Sequence, residues 1–243
     1  MDQPASLHVE ALGTDYHLTV YAPPAAGPLP LLLVTDGDDL LAPMVAAVRE
    51  LTAAGRIIPL IVAGIGYGGG FRSPRNRRGR DYTPTRLAGE PMENGGAAAF
   101  LEGLRTRVLP RLAADYPIAP DDLGIAGHSL GSLFGLYALF QPRPLFRRFL
   151  LSSPSIWWDD RSVLKIAAEL RALQSRLSAR VFLSVGEEDT PSMTGDLALL
   201  ETQLAAAPWQ GLDHVVQRFS GYDHHDVVPV AYRAGLEWLY GRG

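Results

Sequence analysis

The stretch Leu123-Gly124-Ile125-Ala126-Gly127-His128-Ser129-Leu130-Gly131 decides the fold. Residues 123–126 read as a short strand buried on both faces. Residues 127–131 match G-x-S-x-G, and the apolar positions of 133–140 then recur at helical spacing. That spacing of Gly and Ser arises by chance ~0.13 times in a chain of this composition, so the strand before it and the helix after it carry the reading. Strand, serine and helix in immediate succession predict a sharp turn that lifts Ser129 Oγ clear of the sheet. Glycines on either side admit the strained backbone. The helix start aims the Leu130 N–H, and the positive end of its dipole, at the place where an oxyanion would form. The plainer alternative is a serine N-cap in a glycine-rich turn.

Outward from this turn the chain alternates. Residues 29–35, 57–65, 148–151 and 180–185 are further short apolar runs, and 214–219 is a mixed run suited to a sheet edge. Between them, 44–54, 97–115, 163–177, 196–207 and 228–240 carry apolar residues three and four apart. Such alternation predicts a mostly parallel, doubly wound α/β sheet. Residues 7–12 and 16–21 alternate apolar and polar, as an antiparallel strand pair does, and lead into the series as in an α/β-hydrolase. No segment reads as a separate cap domain, and 1–243 is expected to be one domain. Residues 66–95, rich in Gly, Pro and Arg, are expected to form a long active-site loop.

Composition narrows the chemistry. The 243 residues carry a net charge of −4, a hydrophobic fraction of 47% and no cysteine. A thiol nucleophile, disulfides and Cys-ligated metals are therefore excluded, and 243 residues bury a sizeable core without staples. No apolar run reaches the ~18 residues of a membrane span. The start, Met1-Asp2-Gln3-Pro4, lacks a cationic and then apolar leader, which makes the cytoplasm the expected location. Mild acidity and an arginine cluster without interleaved aromatics argue against nucleic acid. Nothing in these features fixes an oligomeric state.

A serine hydroxyl needs a base, and the base an orienting carboxylate, in the chain order Ser, Asp or Glu, His. His224 and His225 stand after the last strand and before the last helix, where this topology places the base; His224 is preferred. The acid is expected after the 180–185 strand, where Glu187, Glu188 and Asp189 follow one another. Asp189 is chosen, with Glu187 second and Asp159 or Asp160 more remote. The loop Asp36-Gly37-Asp38-Asp39 follows the 29–35 strand, so the Asp38 N–H is the expected second oxyanion donor beside Leu130. Two patterns are set aside. Gly64-Ile65-Gly66-Tyr67-Gly68-Gly69 spells a dinucleotide fingerprint but runs into Gly70-Phe71-Arg72-Ser73-Pro74, which is no helix start. Asp223-His224-His225-Asp226 lacks the i, i+4 spacing of a helical metal pair, and no metal is expected.

With these residues in hand, the chain resembles the esterase D-like family of α/β-hydrolases, and within it the ferric siderophore esterases. The resemblance spans roughly residues 31–239. It rests on Asp36-Gly37, on Arg78-Gly79-Arg80-Asp81-Tyr82-Thr83-Pro84, on residues 127–131 through Tyr137-Ala138-Leu139, on Ser153-Pro154-Ser155-Ile156-Trp157-Trp158, and on residues 221–229, where the matching histidine is His224. Asp38 and Asp39 replace the apolar or amide residues usual there, and Arg107 stands where relatives carry glutamate. The resemblance implies a serine ester hydrolase working through an acyl-enzyme, with no cofactor. Its substrate would be a small-molecule ester, with a catecholate siderophore as the leading candidate. Arg78 and Arg80, in the cluster Arg72 to Arg80, are then expected to hold an anionic ligand, with Trp157 as a wall. A generic short-acyl carboxylesterase, an acyltransferase and a non-catalytic ligand-binding relative share these features.

Overall fold

Apolar runs become the strands of one eight-stranded sheet in a computed structural model that describes residues 5–242. Residues 1–4, on which the leader expectation rests, lie outside that range, as does Gly243. The strands are β1 (Ala5–Ala11), β2 (Thr14–Tyr21), β3 (Leu29–Val34), β4 (Ile61–Gly66), β5 (Ile118–His128), β6 (Arg148–Ser152), β7 (Arg176–Gly186) and β8 (Gln210–Phe219). They lie in the order β1-β2-β4-β3-β5-β6-β7-β8. β1 and β2 pair antiparallel, β2 meets β4 antiparallel, and every later pairing is parallel. The fold is that of an α/β-hydrolase with no separate cap.

The helices are α1 (Gly37–Ala53), α2 (Arg78–Tyr82), α3 (Ala97–Gly103), α4 (Leu109–Asp115), α5 (Leu130–Leu139), α6 (Trp158–Leu173), α7 (Pro191–Ala206) and α8 (Val227–Tyr240). α1 and α8 pack Met44, Val48, Leu236 and Leu239 against one face of the sheet, and α3 to α7 close the other over Phe100, Phe134, Val163 and Leu197. Each such side chain contributes about 1.5–3 kcal/mol by leaving water.

Several boundaries differ from the periodicity. α1 starts seven residues before position 44, because Pro43 lies inside the helix and hides the pattern ahead of it. β4 starts at Ile61; Ile57 makes only an isolated bridge to Gly241, with Pro59 unable to donate between them. The 97–115 helix is split by a π-helical segment, Leu104–Val108, just before Pro110. The largest difference falls in residues 66–95. Expected as one long loop, that segment contains α2, with Gly79, Asp81, Tyr82 and Thr83 buried.

Parallel strands all point their C-terminal ends the same way, so the turns after β3, β5, β6 and β7 gather at one edge. Those turns carry Asp36, Ser129, Ser153 and Asp189.

Candidate active site

β5 delivers Ser129 into a conformation few residues adopt, φ 60° and ψ −122°, at the N-cap of α5. Backbone strain of this kind costs on the order of 1–3 kcal/mol and persists only where the surroundings impose it. Two bonds impose it here. Ser129 N–H donates to the Ser152 carbonyl at 3.1 Å, and Ser155 N–H donates to the Ser129 carbonyl at 3.2 Å. Both flanking glycines are required: a Cβ on Gly127 would lie 2.5 Å from the Gly131 carbonyl, and one on Gly131 would strike Thr35 Oγ1. The Ser129 and Ser155 hydroxyls are 3.2 Å apart and hydrogen-bonded.

The carboxylate and the imidazole come from two turns tied to each other. Glu187 N–H donates to the Phe219 carbonyl and Glu188 N–H to the Tyr222 carbonyl, at 2.9 and 3.0 Å. That zipper turns Glu187 and Glu188 out to solvent and Asp189 inward. Asp189 Oδ2 sits 2.8 Å from His224 Nδ1, while its Oδ1 accepts the Thr190 N–H at 2.7 Å. The Asp189 side chain has no exposed surface, so its carboxylate faces the imidazole without competing water. Asp159 is half-buried and Asp160 is exposed, and Asp160 pairs with Lys165. His225 is exposed, and its N–H is turned onto Asp223 Oδ1.

The structure thus brings Asp189 to His224 and the elbow to the same edge, but forms no hydrogen bond between Ser129 and His224 among the described residues; Ser129 Oγ is held by Ser155. Beneath His224 lies His128, with ring centroids 4.5 Å apart. His128 is buried and neither ring nitrogen finds a protein partner. Burial, reinforced by the neighbouring histidines and Arg78, pushes it down to about 3, so it stays neutral under the base.

α1 begins directly after β3, with Asp36 in the left-handed region at φ 52°. Its first N–H groups have no acceptor within the helix, and those of Gly37 and Asp38 take no protein partner among the described residues. The Asp38 carboxylate is turned away, accepting Tyr67 and Gly68 N–H at 2.7 and 3.0 Å. The close approach is possible because Gly37 packs on Gly64: a Cβ at Gly37 would lie 2.5 Å from the Gly64 carbonyl carbon. The glycines of the apparent dinucleotide fingerprint therefore have a packing role.

Behind this loop is a buried polar frame that the sequence did not reveal. Arg78 grips Asp36 with two parallel bonds, Nε to Oδ1 at 2.9 Å and Nη2 to Oδ2 at 3.1 Å. Tyr82 OH accepts the Asp36 N–H at 3.0 Å. Asp81, fully buried, accepts Tyr16 OH at 2.8 Å, Tyr67 OH at 2.9 Å and Arg80 Nε at 2.7 Å. Burial pushes the Asp36 carboxyl up, and Arg78 opposes it; burial likewise pushes the Tyr16 and Tyr67 hydroxyls up, which keeps both as donors. The only sequence signal for this frame was the 78–84 motif.

Arg78 and Arg80 both line a cleft of about 640 Å³ together with Leu130, Phe71, Asn76 and Met92. Neither guanidinium is free, since each holds a buried carboxylate, and Arg80 Nη2 also donates to Thr14 and Tyr16. Arg72 and Arg75 are exposed. Of the paired tryptophans, Trp157 is 42% exposed, whereas Trp158 is core and donates its Nε1–H to the Thr85 carbonyl.

A sheet of this topology with a strained serine at the strand-to-helix turn defines an α/β-hydrolase of the serine type. The family model described as "Putative esterase" matches residues 9–238, so the chain belongs to that esterase family and is a serine ester hydrolase. It is 30% identical over 249 residues to the ferri-bacillibactin esterase BesA of Bacillus subtilis, covering 92% of this chain and 84% of the relative. It is 33% identical over 179 residues to the siderophore triacetylfusarinine C esterase of Aspergillus fumigatus, covering 70% and 61%. Among solved structures it is similar to the BES protein from Bacillus cereus, with a TM-score of 0.89, 24% identity and coverage of 100% and 96%. The siderophore hydrolase EstB from Aspergillus nidulans superimposes with a TM-score of 0.86 at 23% identity, covering 99% and 96%.

Proposed function

We propose that Ser129, His224 and Asp189 form the catalytic triad and that the esters cleaved are those of catecholate siderophores. The observation that carries the triad is the 2.8 Å contact between Asp189 Oδ2 and His224 Nδ1, next to a serine held at positive φ. Turning Ser129 about χ1 from Ser155 toward His224 Nε2 lets the imidazole take the hydroxyl proton as Oγ attacks the ester carbonyl; such contacts commonly tighten only once substrate is bound. Asp189 fixes the tautomer with Nε2 free and stabilises the imidazolium.

The tetrahedral oxyanion is held by the N–H groups of Leu130 and Asp38, each worth about 2.7–4 kcal/mol in the transition state. Both head a helix, so both dipoles add. His224 then protonates the leaving alkoxide, and a water hydrolyses the acyl-enzyme by the reverse proton path.

For the substrate, the similarity to siderophore esterases supports the class, and the cleft beside Leu130 supports the pose. Among the described residues, Arg78 and Arg80 keep three and two unengaged N–H donors respectively, out of the five each guanidinium offers. Their charges are already balanced by Asp36 and Asp81, so they act on catecholate oxygens as oriented donors more than as free positive charge. Trp157 supplies an exposed aromatic face two residues after Ser155 in the chain. The single-domain reading stays with this proposal. Incubating a ferric tricatecholate trilactone with the wild type and with Ser129→Ala, and following the products by mass spectrometry, tests it. Linear fragments from the wild type alone are expected. Intact trilactone alongside hydrolysis of simple short-acyl esters would shift the substrate to ordinary carboxylic esters.

A further inference from the structure

Along the same edge but at the far end of the sheet, where His17 pairs with Gly66 at the end of β4, the β1–β2 hairpin carries a group of side chains that the esterase reading leaves unused. Its two strands are joined through Leu12 and Gly13, both at positive φ (56° and 65°), the geometry of a tight two-residue hairpin turn. The register that turn sets places His8 directly opposite His17, and Asp15 lies two residues before His17. Alternation then puts these three on one face of the ribbon, while Val9, Tyr16 and Leu18 on the other face enter the core. His8 Nδ1 is 3.4 Å from Asp15 Oδ2, His17 Nε2 is 3.9 Å from the same oxygen, and the three ligand atoms all lie within 4.8 Å of one another.

We propose that His8, Asp15 and His17 form a surface binding site for a divalent transition-metal ion of the zinc type. Two imidazoles and one carboxylate are the donor set such ions take. The spacings fit: ligands at about 2.0–2.1 Å in tetrahedral array lie on the order of 3.3 Å apart. They are longer than the roughly 2.7–2.9 Å of a closed charge-assisted hydrogen bond, so the three groups converge without engaging one another tightly. The side chains stay accessible, at 56%, 61% and 27% exposure for His8, Asp15 and His17, which leaves the remaining positions to water. An ion here ties β1 to β2, which among the described residues is the only sheet neighbour β1 has. β4 and β3 separate the hairpin from β5, so the ion's expected role is to hold the two strands together.

One feature of the surroundings sets the strength. Arg75 and Arg77 line the cleft of about 300 Å³ that opens beside Asp15 and His17. Arg77 faces Glu93 at 3.9 Å, whereas Arg75 is exposed and opposes a second positive charge. Removing Arg75 is therefore expected to tighten the ion.

The test is calorimetric titration of the metal-free full chain with Zn²⁺, alongside thermal unfolding, for the wild type, His8→Gln/Asp15→Asn and Arg75→Ala. The variant positions are exposed, so folding is expected to survive and is checked by the Tm without metal. The proposal expects one Zn²⁺ whose affinity falls at least tenfold in His8→Gln/Asp15→Asn and rises several-fold in Arg75→Ala. It also expects a Zn²⁺-dependent rise in Tm that only the double variant loses. No Zn²⁺ binding by the wild type, or binding equally strong in His8→Gln/Asp15→Asn, overturns the site.

Discussion

Two regions meet at Ser129, and they are built in opposite ways. On one side is the frame of Asp36, Asp81, Arg78, Arg80 and three tyrosines, where buried polar groups are hydrogen-bonded and every charge is paired. On the other is the turn after β6. There Ser153 stands at φ 44°, its hydroxyl has no partner among the described residues, and in the first turn of α6 that follows, Asp159, Asp160 and Arg161 all adopt left-handed conformations. The difference teaches how the work is divided. Satisfied networks rigidify, so the frame holds the start of α1 in place. Strained backbone of this kind clusters at functional sites.

That division predicts which substitutions alter turnover and which alter stability. The largest effect is expected from Ser129→Ala, with kcat down by about 10⁴-fold or more and Tm essentially unchanged, read by ester turnover and calorimetry. Asp189→Asn is expected next, at about 10³–10⁴-fold in kcat, because the imidazole loses its tautomer. Glu187→Gln in the same assay serves as the contrast, since that side chain faces solvent, and a comparable loss there would break the assignment.

The frame is expected to respond in the other currency. Asp81→Ala leaves Arg80, Tyr16 and Tyr67 without their buried acceptor and is expected to destabilise the fold by about 3–5 kcal/mol in denaturant unfolding. A stable Asp81→Ala enzyme with altered KM alone would erase the distinction between the two regions.

His128 gives a smaller, pH-dependent effect. Its folded value of about 3 lies below the ordinary 6.5. The unfolded chain therefore binds a proton that the folded one refuses, and stability present above pH 6.5 is lost as pH falls toward 3. The slope is at most about 1.4 kcal/mol per pH unit, and His128→Gln is expected to flatten it in unfolding curves between those limits. Least of all, Ser155→Ala is expected to lower kcat by less than tenfold, because the strained Ser129 carbonyl keeps its bond to the Ser155 backbone N–H.

Much of this was legible in the chain. The serine turn and the alternating strands follow from local patterns, and Asp189 and His224, placed by the expected topology, do come together. What escaped reading was non-local. Asp36 and Arg78 are 42 residues apart, and Tyr16 and Asp81 are 65 apart, so nothing near either partner announces the pair. Arg78 and Arg80, expected to hold an anionic ligand, also hold Asp36 and Asp81, and that second engagement had no local signal. His8 and His17 gave no signal because only strand register sets them face to face. Ser155 was quoted for its motif, yet its contact with Ser129 depends on where the turn after β6 folds back.

The central claim is that Ser129 owes its reactivity to His224. Intact-mass measurement of labelling by a fluorophosphonate, in the wild type and in His224→Ala, tests it most directly. The account predicts a single adduct on Ser129 in the wild type, and labelling at least a hundredfold slower without the imidazole. Equal labelling rates in the two proteins, or an adduct on another serine, would contradict it.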